Sequence, residues 1–273
     1  MGWLIQSRWY FWKGEAGQYT DDTLMTIALS KSMIQSNGFD PEDVAKEYLS
    51  WYDSKNTRGI GSTTATAINN LKIGATWQES GLTSLQSGGN GTAMRASPIG
   101  IVYRNKPELL MQYAIEDASI THNSLEPKIG SCTVALATAI LSDRSVGTIS
   151  LSSLIGWIIP VLPECVVKSK LLDVQSALHE KIDPKVALAS IGTSGYVPET
   201  VGATLYCLLA TSSFEDAVIM AVRAGGDTDT TAAIVGALAG TYYGLDGIPD
   251  HYKTVENFDL LNALNEELIN IEI

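Results

Sequence analysis

The sequence predicts an all-α protein that folds as one compact domain over residues 1–273. Apolar residues recur with helical spacing along most of the chain. No segment alternates apolar and polar residues between turn signals, as a half-buried β-strand would, and no strand–helix–strand rhythm is present. The connecting segments are short, and none has the composition of an interdomain linker.

Apolar spacing and end signals together place eight helices. Pro41 suits the first turn of a helix, and Ser213 ahead of two acidic residues suits the start of another. The predicted ranges are 23–35, 41–52, 62–73, 107–119, 129–142, 198–210, 214–224 and 257–271. A further helix over 232–244 is rich in small residues. Gly236 and Gly240, four positions apart in it, predict a nearly flat face for close helix packing.

Composition indicates a globular protein and argues against two function classes. Of the 273 residues, 45% are hydrophobic and 18% are charged, which is too apolar for intrinsic disorder. Lys and Arg number 18 against 30 Asp and Glu, so the net charge is −12. Such a chain lacks the basic face that general nucleic-acid binding or binding to anionic membranes requires, and we expect neither.

The sequence carries no pattern for export or membrane insertion. The first residues are aromatic and lack the basic start and long apolar core of a signal peptide. The longest apolar stretch, 154–162, is interrupted by a glycine and a proline and is too short to cross a bilayer. Cys132, Cys165 and Cys207 are widely spaced, which predicts buried, reduced thiols rather than a zinc site or a nucleophile. We therefore expect a cytoplasmic protein.

The first segment that could carry chemistry is YTDDT at 19–23, ahead of a helical pattern. Its common interpretation is a helix N-cap, in which Thr20 or Asp22 accepts backbone N–H bonds. A cap needs one such residue, whereas this segment has a run of them. The adjacent carboxylates of Asp21 and Asp22 repel each other unless a cation or hydrogen-bond donors hold them. The segment alone leaves both a cap and a metal site open.

The second such segment is AGGDTDTT at 224–231, which opens the helix of small residues. Its two glycines permit an unusual backbone just before the helix. Asp227, Asp229 and Thr230 offer oxygen ligands, which suit Mg²⁺ or Mn²⁺ rather than zinc.

Together, the two acidic segments supply four carboxylates and several hydroxyls from opposite ends of the chain. That number of oxygens would serve a two-metal centre in which carboxylates bridge the ions. A protein core cannot hold this cluster without cations, so burial and metal binding are expected as a pair. Exposure of both segments is the alternative that the sequence leaves open.

Two further segments are weak signals by themselves. SGGNGTAMR at 87–95 is a glycine-rich loop of the kind that presents backbone N–H groups to phosphate, although a flexible loop has the same composition. SITHN at 119–123 contains His122. A lone histidine is more often a structural hydrogen-bonding residue than a catalyst.

These segments, in this order and at these separations, resemble the ADP-ribosylglycohydrolase family. That family includes the dinitrogenase-reductase-activating glycohydrolases of bacteria and the ADP-ribosylarginine and ADP-ribosylserine hydrolases of animals. The resemblance extends over most of the chain, from Tyr19 to Pro249. The matching pieces are YTDDT (19–23), GIGSTT (59–64), SGGNGTAMRASPIG (87–100), SITHN (119–123), AGGDTDTTAAIVGALAG (224–240) and YYGLDGIP (242–249).

The resemblance implies an all-α fold with a binuclear magnesium or manganese centre in a cleft. The metal ligands that it implies are Thr20, Asp21, Asp22, Asp227, Asp229 and Thr230. The residues that it implies for binding the diphosphate and ribose of ADP-ribose are Ser87, Gly88, Gly89 and Asn90, with His122 as a further ligand contact.

The activity that the resemblance implies is cleavage of the bond joining C1 of ADP-ribose to a protein side chain or another small acceptor. Cleavage at an anomeric carbon passes through an oxocarbenium-like state. Two metals would grip the ribose hydroxyls and activate a water molecule, and Asp21 or Asp229 would accept its proton. The expected partner is therefore an ADP-ribosylated protein or a small ADP-ribose conjugate.

Two features depart from the family pattern. Most members open with a helix that reads roughly GALLGLAVGDALG, followed by a glutamate near the active site, and we expect that helix to be absent or rebuilt in residues 1–18. Gly59 stands where the nitrogenase-regulating branch carries an Asp. Close kinship with that branch in arginine-linked chemistry is therefore not expected.

Alternative functions remain beside the hydrolase. One is a catalytically weakened binder of ADP-ribose or a related nucleotide. A structural role, as in a lens crystallin of this family, is less favoured because clustered carboxylates serve no structural purpose. The run at 227–231 also resembles the DxDxT motif of haloacid-dehalogenase phosphatases, but no buried strand precedes it here.

Overall fold

The computed structural model describes residues 15–84, 88–142 and 150–273. These residues form α-helices, short 3-10 turns and two isolated β-bridges, with no β-strand among them, so the predicted all-α class is confirmed. The helices are α1 (Asp21–Gln35), α2 (Pro41–Asp53), α3 (Ser62–Lys72), α4 (Trp77–Ser80), α5 (Ser97–Val102), α6 (Pro107–Thr121), α7 (Leu125–Ser142), α8 (Leu154–Ile158), α9 (Val166–His179), α10 (Pro184–Ile191), α11 (Val197–Leu209), α12 (Phe214–Arg223), α13 (Thr228–Tyr243) and α14 (Phe258–Ile269).

The predicted helix starts have the expected capping chemistry. Pro41 lies in the first turn of α2, and the Asp40 carboxylate accepts the backbone N–H groups of Glu42 and Asp43. The hydroxyl of Ser213 accepts the N–H of Asp216 at 3.0 Å and begins α12. Asp40 and Ser213 each accept donors that a helix leaves unsatisfied in its first turn.

Five helices of the described residues lie outside the predicted ranges, namely α4, α5, α8, α9 and α10. Three of them, α4, α5 and α8, have at most six residues, too few to show helical periodicity. Longer α9 does carry a readable pattern, since Val167, Leu171 and Val174 are buried at helical spacing. The chain also begins α7 at Leu125, four residues before the predicted start.

The core is centred on α7 and α11. Helix α7 packs against α5, α6, α11 and α13, while α11 packs against α9, α12 and α13. Most residues of both helices are buried. A helix that is apolar on every side needs neighbours all around it. The surrounding layer includes α1 and α13, the two helices that begin with acidic segments.

The prediction that the small residues of α13 form a face for close helix packing is wrong at Gly236. A Cβ placed there would have open space around it, and one at Gly240 would meet only ordinary contacts. The side of α13 that packs into the core carries Ile234, Val235 and Leu238 instead. Larger apolar residues bury more area, which explains why that side is the one turned inward.

The cysteines follow the prediction in part. Cys132 and Cys207 are buried, whereas Cys165 is half-buried, and all three thiols are free. The Cys165 sulfur accepts the backbone N–H of Lys168 at 3.4 Å. Within the described ranges, no helix combines the length and the apolar character needed to cross a membrane.

Gly100 is expected to be a critical packing position. It lies in α5, and a Cβ there would stand 2.4 Å from the Ala135 carbonyl oxygen of α7. Gly100→Ala should lower the free energy of unfolding by about 1–3 kcal/mol through overpacking. Gly236→Ala, in open helical space, should be neutral or stabilising by up to about 1 kcal/mol. Equal thermal unfolding of the two variants would contradict this packing.

Candidate active site

The two acidic segments, distant in sequence, meet in the structure. Asp21 and Asp22 occupy the first turn of α1, and Asp227 and Asp229 stand at the start of α13. The charges of Asp22, Asp229 and Asp227 all act on Asp21. Asp21 and Asp22 are 7% and 3% exposed, Asp227 is partly exposed and Asp229 faces solvent. The cluster therefore runs from the protein interior to the surface.

These side chains do not cap their own helices. Thr20 is the N-cap of α1, yet its hydroxyl donates to Asp22 Oδ2 at 2.7 Å. Asp227 is the N-cap of α13, yet its Oδ2 accepts the Asn90 side-chain amide at 2.7 Å. By contrast, Asp183 at α10 accepts backbone N–H groups as a cap does. The helix-cap interpretation of the first segment is therefore wrong for Thr20.

Asp22 is the most constrained carboxylate of the cluster. Its Oδ1 is buried and has no hydrogen-bond partner within the described part of the chain. The Thr20 and Thr230 hydroxyls both approach this carboxylate and lower its pKa, but burial outweighs them and raises the pKa to about 6. A buried anionic oxygen without a partner is costly. A divalent cation is the partner that such an oxygen fits, so the donor set agrees with the implied metals.

Burial and like charge also raise the pKa values of Asp21 and Asp227. Burial, followed by the charge of Asp22, raises the pKa of Asp21 to about 8. Burial and the neighbouring carboxyl of Asp229 raise the pKa of Asp227 to about 7. Both causes disfavour the charged form of a carboxyl group, and the positive charge of a bound cation would offset both.

No three His, Cys, Asp or Glu side chains in residues 15–84, 88–142 and 150–273 already stand close enough to share one metal ion. The structure therefore brings the predicted ligands into one region without drawing them into a coordination shell.

Arg58 and Gly59, in the segment before α3, contact Asp21 of the first acidic segment. The backbone N–H of Asp21 donates to the Arg58 carbonyl at 2.7 Å. Arg58 pairs with Glu256 at 2.5 Å, and Glu256 also accepts the backbone N–H of Tyr19. Gly59 has a φ of +82°, and a Cβ on it would lie 2.6 Å from Asp21 Oδ1. Any side chain at this position would push against the Asp21 carboxylate.

The glycine-rich loop lies beside the second acidic motif, although Ser87, the first of its predicted ligand residues, is outside the described residues. Asn90 links the two directly, since its side-chain amide donates to Asp227 and to Thr200. Its backbone N–H is occupied by the Gly195 carbonyl at 3.1 Å. Gly88 and Gly89 therefore remain the loop's predicted phosphate contacts, and Asn90 holds the loop against Asp227.

Residues 193–199, which no sequence motif had marked, contact both Asp227 and the glycine-rich loop. The Thr193 carbonyl accepts the N–H of Asp227 at 2.8 Å, and the Gly88 carbonyl accepts the N–H of Val197 at 2.9 Å. The segment is held by Glu199, whose carboxylate accepts the Ser194 hydroxyl at 2.6 Å. The sequence signal for it was a turn composition, TSGYVPE, directly before a helix.

His122 lies beneath the glycine-rich loop. It directly follows α6 and is 2% exposed. Cβ atoms on Gly89 and Gly91 would stand 3.2 and 3.1 Å from its ring. Burial and the positive charge of Arg95 lower its pKa to about 3. The ring is therefore neutral at physiological pH, and its role as a ligand contact stays a prediction.

An ion pair between Arg95 and Asp117 lies under the same loop, and the sequence gave it no role. Both side chains are fully buried and 3.0 Å apart, and the Tyr48 hydroxyl donates to Asp117 at 2.6 Å. The Arg95 guanidinium also donates to the Gly91 carbonyl at 2.9 Å. A buried pair of this kind requires that every remaining donor be satisfied.

Comparison with known proteins identifies relatives along nearly the whole chain. The sequence profile of the ADP-ribosylglycohydrolase family matches residues 3–272. Over 244 residues the chain is 27% identical to the ADP-ribosylarginine hydrolase Tri1 of Pseudomonas putida (strain GB-1), covering 87% of this chain and 62% of Tri1. The ADP-ribosylhydrolase ARH3 of Homo sapiens is 27% identical over 287 residues, covering 93% and 79% of the two chains.

A solved structure supports the same relationship. It is of an ADP-ribosylglycohydrolase-related protein complex and superposes with a TM-score of 0.75 at 27% identity. The match covers 94% of this chain and 83% of the solved one.

Gly59→Ala is expected to disturb the acidic cluster beyond the cost of backbone strain. Gly74→Ala is the matched control, since Gly74 has a φ of +103° with nothing within 4 Å of a Cβ. A non-glycine residue with positive φ costs about 1–2 kcal/mol in either variant. Only Gly59→Ala should also weaken Mg²⁺-dependent stabilisation in thermal unfolding. An equal Mg²⁺ response in both variants would show that Gly59 does not position Asp21.

The metal-free protein should lose stability as the pH rises from about 4 to about 8. The unfolded carboxyls ionise near their ordinary pKa of 3.8, whereas Asp21 and Asp22 retain protons up to about 8 and 6 in the folded state. The folded state then binds more protons, and its stability falls with pH by roughly 1 kcal/mol per unit for each such group. Thermal unfolding in EDTA should show this slope.

Added Mg²⁺ should reduce the slope, because cations replace the missing protons. Asp22→Asn should reduce it in EDTA, whereas exposed Asp246→Asn should leave it unchanged. Stability that rises with pH in EDTA and ignores Mg²⁺ would contradict the description of this cluster.

Proposed function

The chain belongs to the ADP-ribosylglycohydrolase family, and on that premise we propose that it is a metal-dependent hydrolase of ADP-ribose conjugates. The bond cleaved joins C1 of ADP-ribose to a protein side chain or a small acceptor. The observation that carries the proposal is the buried oxygen of Asp22, which has no hydrogen-bond partner among the described residues, within a cluster of carboxylates from both ends of the chain. Free thiols favour a reducing compartment, so the cytoplasm is part of the proposal.

The residues that would hold two Mg²⁺ or Mn²⁺ ions come from the starts of α1 and α13. They are Thr20, Asp21, Asp22, Asp227, Asp229 and Thr230. When bound, the cations supply positive charge for the ribose hydroxyls and lower the pKa of a water molecule towards about 7. An all-oxygen set of carboxylates and hydroxyls is the chemistry that these hard cations prefer.

The same cluster would handle the proton of the attacking water. Asp21 and Asp229 are the two candidates, and they differ in exposure. Asp21 is 7% exposed, whereas Asp229 faces solvent at the edge of the cluster. Hydrolysis gives the oxygen of the water to C1 and its proton to the departing acceptor. Because Asp229 lies at the open edge of the cluster, it can pass that proton on to the acceptor, so we assign the base role to Asp229 and a ligand role to Asp21.

The substrate's diphosphate would lie against the glycine-rich loop. Gly88 and Gly89 lack side chains, so phosphate oxygens can approach their backbone closely. Asn90 fixes this loop to Asp227 through its side-chain amide. An anionic substrate would thus meet an acidic protein through cations and backbone N–H groups. The name of the relative Tri1, an ADP-ribosylarginine hydrolase, supports an ADP-ribosylated side chain as one acceptor.

A substrate panel tests the proposal. ADP-ribose release should be measured from arginine-linked, serine-linked and O-acetyl conjugates, in Mg²⁺ and again in EDTA. We expect release from at least one conjugate in Mg²⁺ and its loss in EDTA. Mg²⁺-dependent ADP-ribose binding without release from any conjugate would replace the hydrolase with a binding protein.

A pair of variants connects activity to the cluster. Asp227→Asn should reduce release by about a hundredfold or more, since it removes a charge from the proposed ligand set. Asp246→Asn is the matched control at an exposed site and should retain full activity. An Asp227→Asn protein with full activity would refute the assignment of the metal ligands.

A further inference from the structure

The Arg95 guanidinium lies beneath the glycine-rich loop and binds three residues there, Asp117, Gly91 and Thr121. The guanidinium pairs with Asp117, donates to the Gly91 carbonyl at 2.9 Å and donates to the Thr121 hydroxyl oxygen at 3.0 Å. It also lies 4.7 Å from the centre of the Tyr48 ring. Because a guanidinium has only donors, the direction of the hydrogen bond to Thr121 is fixed.

The Thr121 hydroxyl also contacts the next residue, His122. It lies 2.9 Å from His122 Nδ1, and the pair is buried. The hydroxyl oxygen already accepts from Arg95, and its hydrogen needs an acceptor because Thr121 is fully buried. Among the hydrogen bonds of the described residues, His122 Nδ1 is the acceptor available to that hydrogen.

The tautomer of His122 with its proton on Nδ1 is unfavourable. If Nδ1 carried a proton, it would donate to an oxygen that also receives the Arg95 donor. The Thr121 hydroxyl hydrogen would then be buried without an acceptor, at a cost of about 1–3 kcal/mol. The positive charge of Arg95 in addition opposes a second proton on the ring.

We propose that Arg95, acting through the Thr121 hydroxyl, fixes His122 as the neutral tautomer whose proton is on Nε2. Arg95 and Thr121 are then positioning residues, and His122 is a fixed hydrogen-bond donor. Imidazole can occupy either neutral tautomer, and the partner of one nitrogen decides which nitrogen carries the proton.

The proton on Nε2 faces the glycine-rich loop. A Cβ on Gly89 would lie 3.2 Å from Nε2, so this edge of the ring lies close beneath the loop backbone. Its use rests on the proposed function: an N–H donor there suits an anionic phosphate oxygen, whereas a bare nitrogen would repel it. The tautomer itself does not depend on the reaction.

Nitrogen NMR of a single-histidine protein tests the tautomer directly. The chain has three histidines, and His179 and His251 are exposed, so His179→Gln with His251→Gln leaves only His122. In the metal-free protein at neutral pH, we expect a protonated, pyrrole-like Nε2 and an unprotonated, pyridine-like Nδ1. A protonated Nδ1 would overturn the proposal without any further variant.

Two substitutions at Thr121 test the relay in the same background. Thr121→Val removes the hydroxyl and should shift the ring towards the Nδ1-protonated tautomer, whereas Thr121→Ser should restore the parent spectrum. Unchanged nitrogen shifts in Thr121→Val would overturn the role of Thr121. Should Thr121→Val fail to fold, the parent and Thr121→Ser spectra still decide the tautomer.

ADP-ribose affinity separates this proposal from the proposed function. Thr121→Val should weaken ADP-ribose binding by about tenfold, the effect of one lost hydrogen bond to a charged group, and Thr121→Ser should not. An Nε2 proton without ADP-ribose binding in any variant would retain the relay and reject the function. Normal affinity in a Thr121→Val protein with a shifted tautomer would reject the use of His122 as a donor to the ligand.

Discussion

Negative charge gathered inside the protein is the constraint on which the rest of the site depends. Asp22 has a buried oxygen with no partner among the described residues, and the charges of neighbouring carboxylates add to burial in raising the pKa values of Asp21 and Asp227. Two hydroxyls, from Thr20 and Thr230, lower the pKa of Asp22 without offsetting its burial. Helix N-termini favour the same negative charges, but each contributes only about 0.3–1 kcal/mol. We propose that cations hold a site of this kind in its charged form.

The packing of the helices and the loops between them keep the acidic cluster in place. The interior helices α7 and α11 supply the buried apolar area, while α1 and α13 at the layer around them carry the charged starts. Loops then fix those starts from several sides. Arg58 and Gly59 support Asp21, and Asn90 with the carbonyl of Thr193 holds Asp227. The loop proposed to bind phosphate is therefore attached to the residues proposed to bind metal.

The sequence predicts local features well, but of the long-range pairings it predicts only the meeting of the two acidic segments. Periodicity and capping residues identify the all-α class and most long helices, because both act over a few neighbouring positions. Whether Thr20 caps its helix or bonds Asp22 depends on a side-chain rotamer, which no spacing reveals. The pairing of Arg95 with Asp117 depends on how α6 packs. Small residues fit both a close packing face and an open one, so the sequence could not show which of these Gly236 occupies.

Crystals grown with Mn²⁺ and measured at the manganese absorption edge test the central claim most directly. Anomalous density locates the ions without reference to activity or substrate. Two peaks should lie between the starts of α1 and α13, with Asp22 Oδ1 coordinated and the four carboxylates drawn together around them. Strong Mn²⁺ peaks elsewhere, or none beside Asp22 at saturating Mn²⁺, would contradict the account, because the buried charge would then be held without the cations it is argued to require.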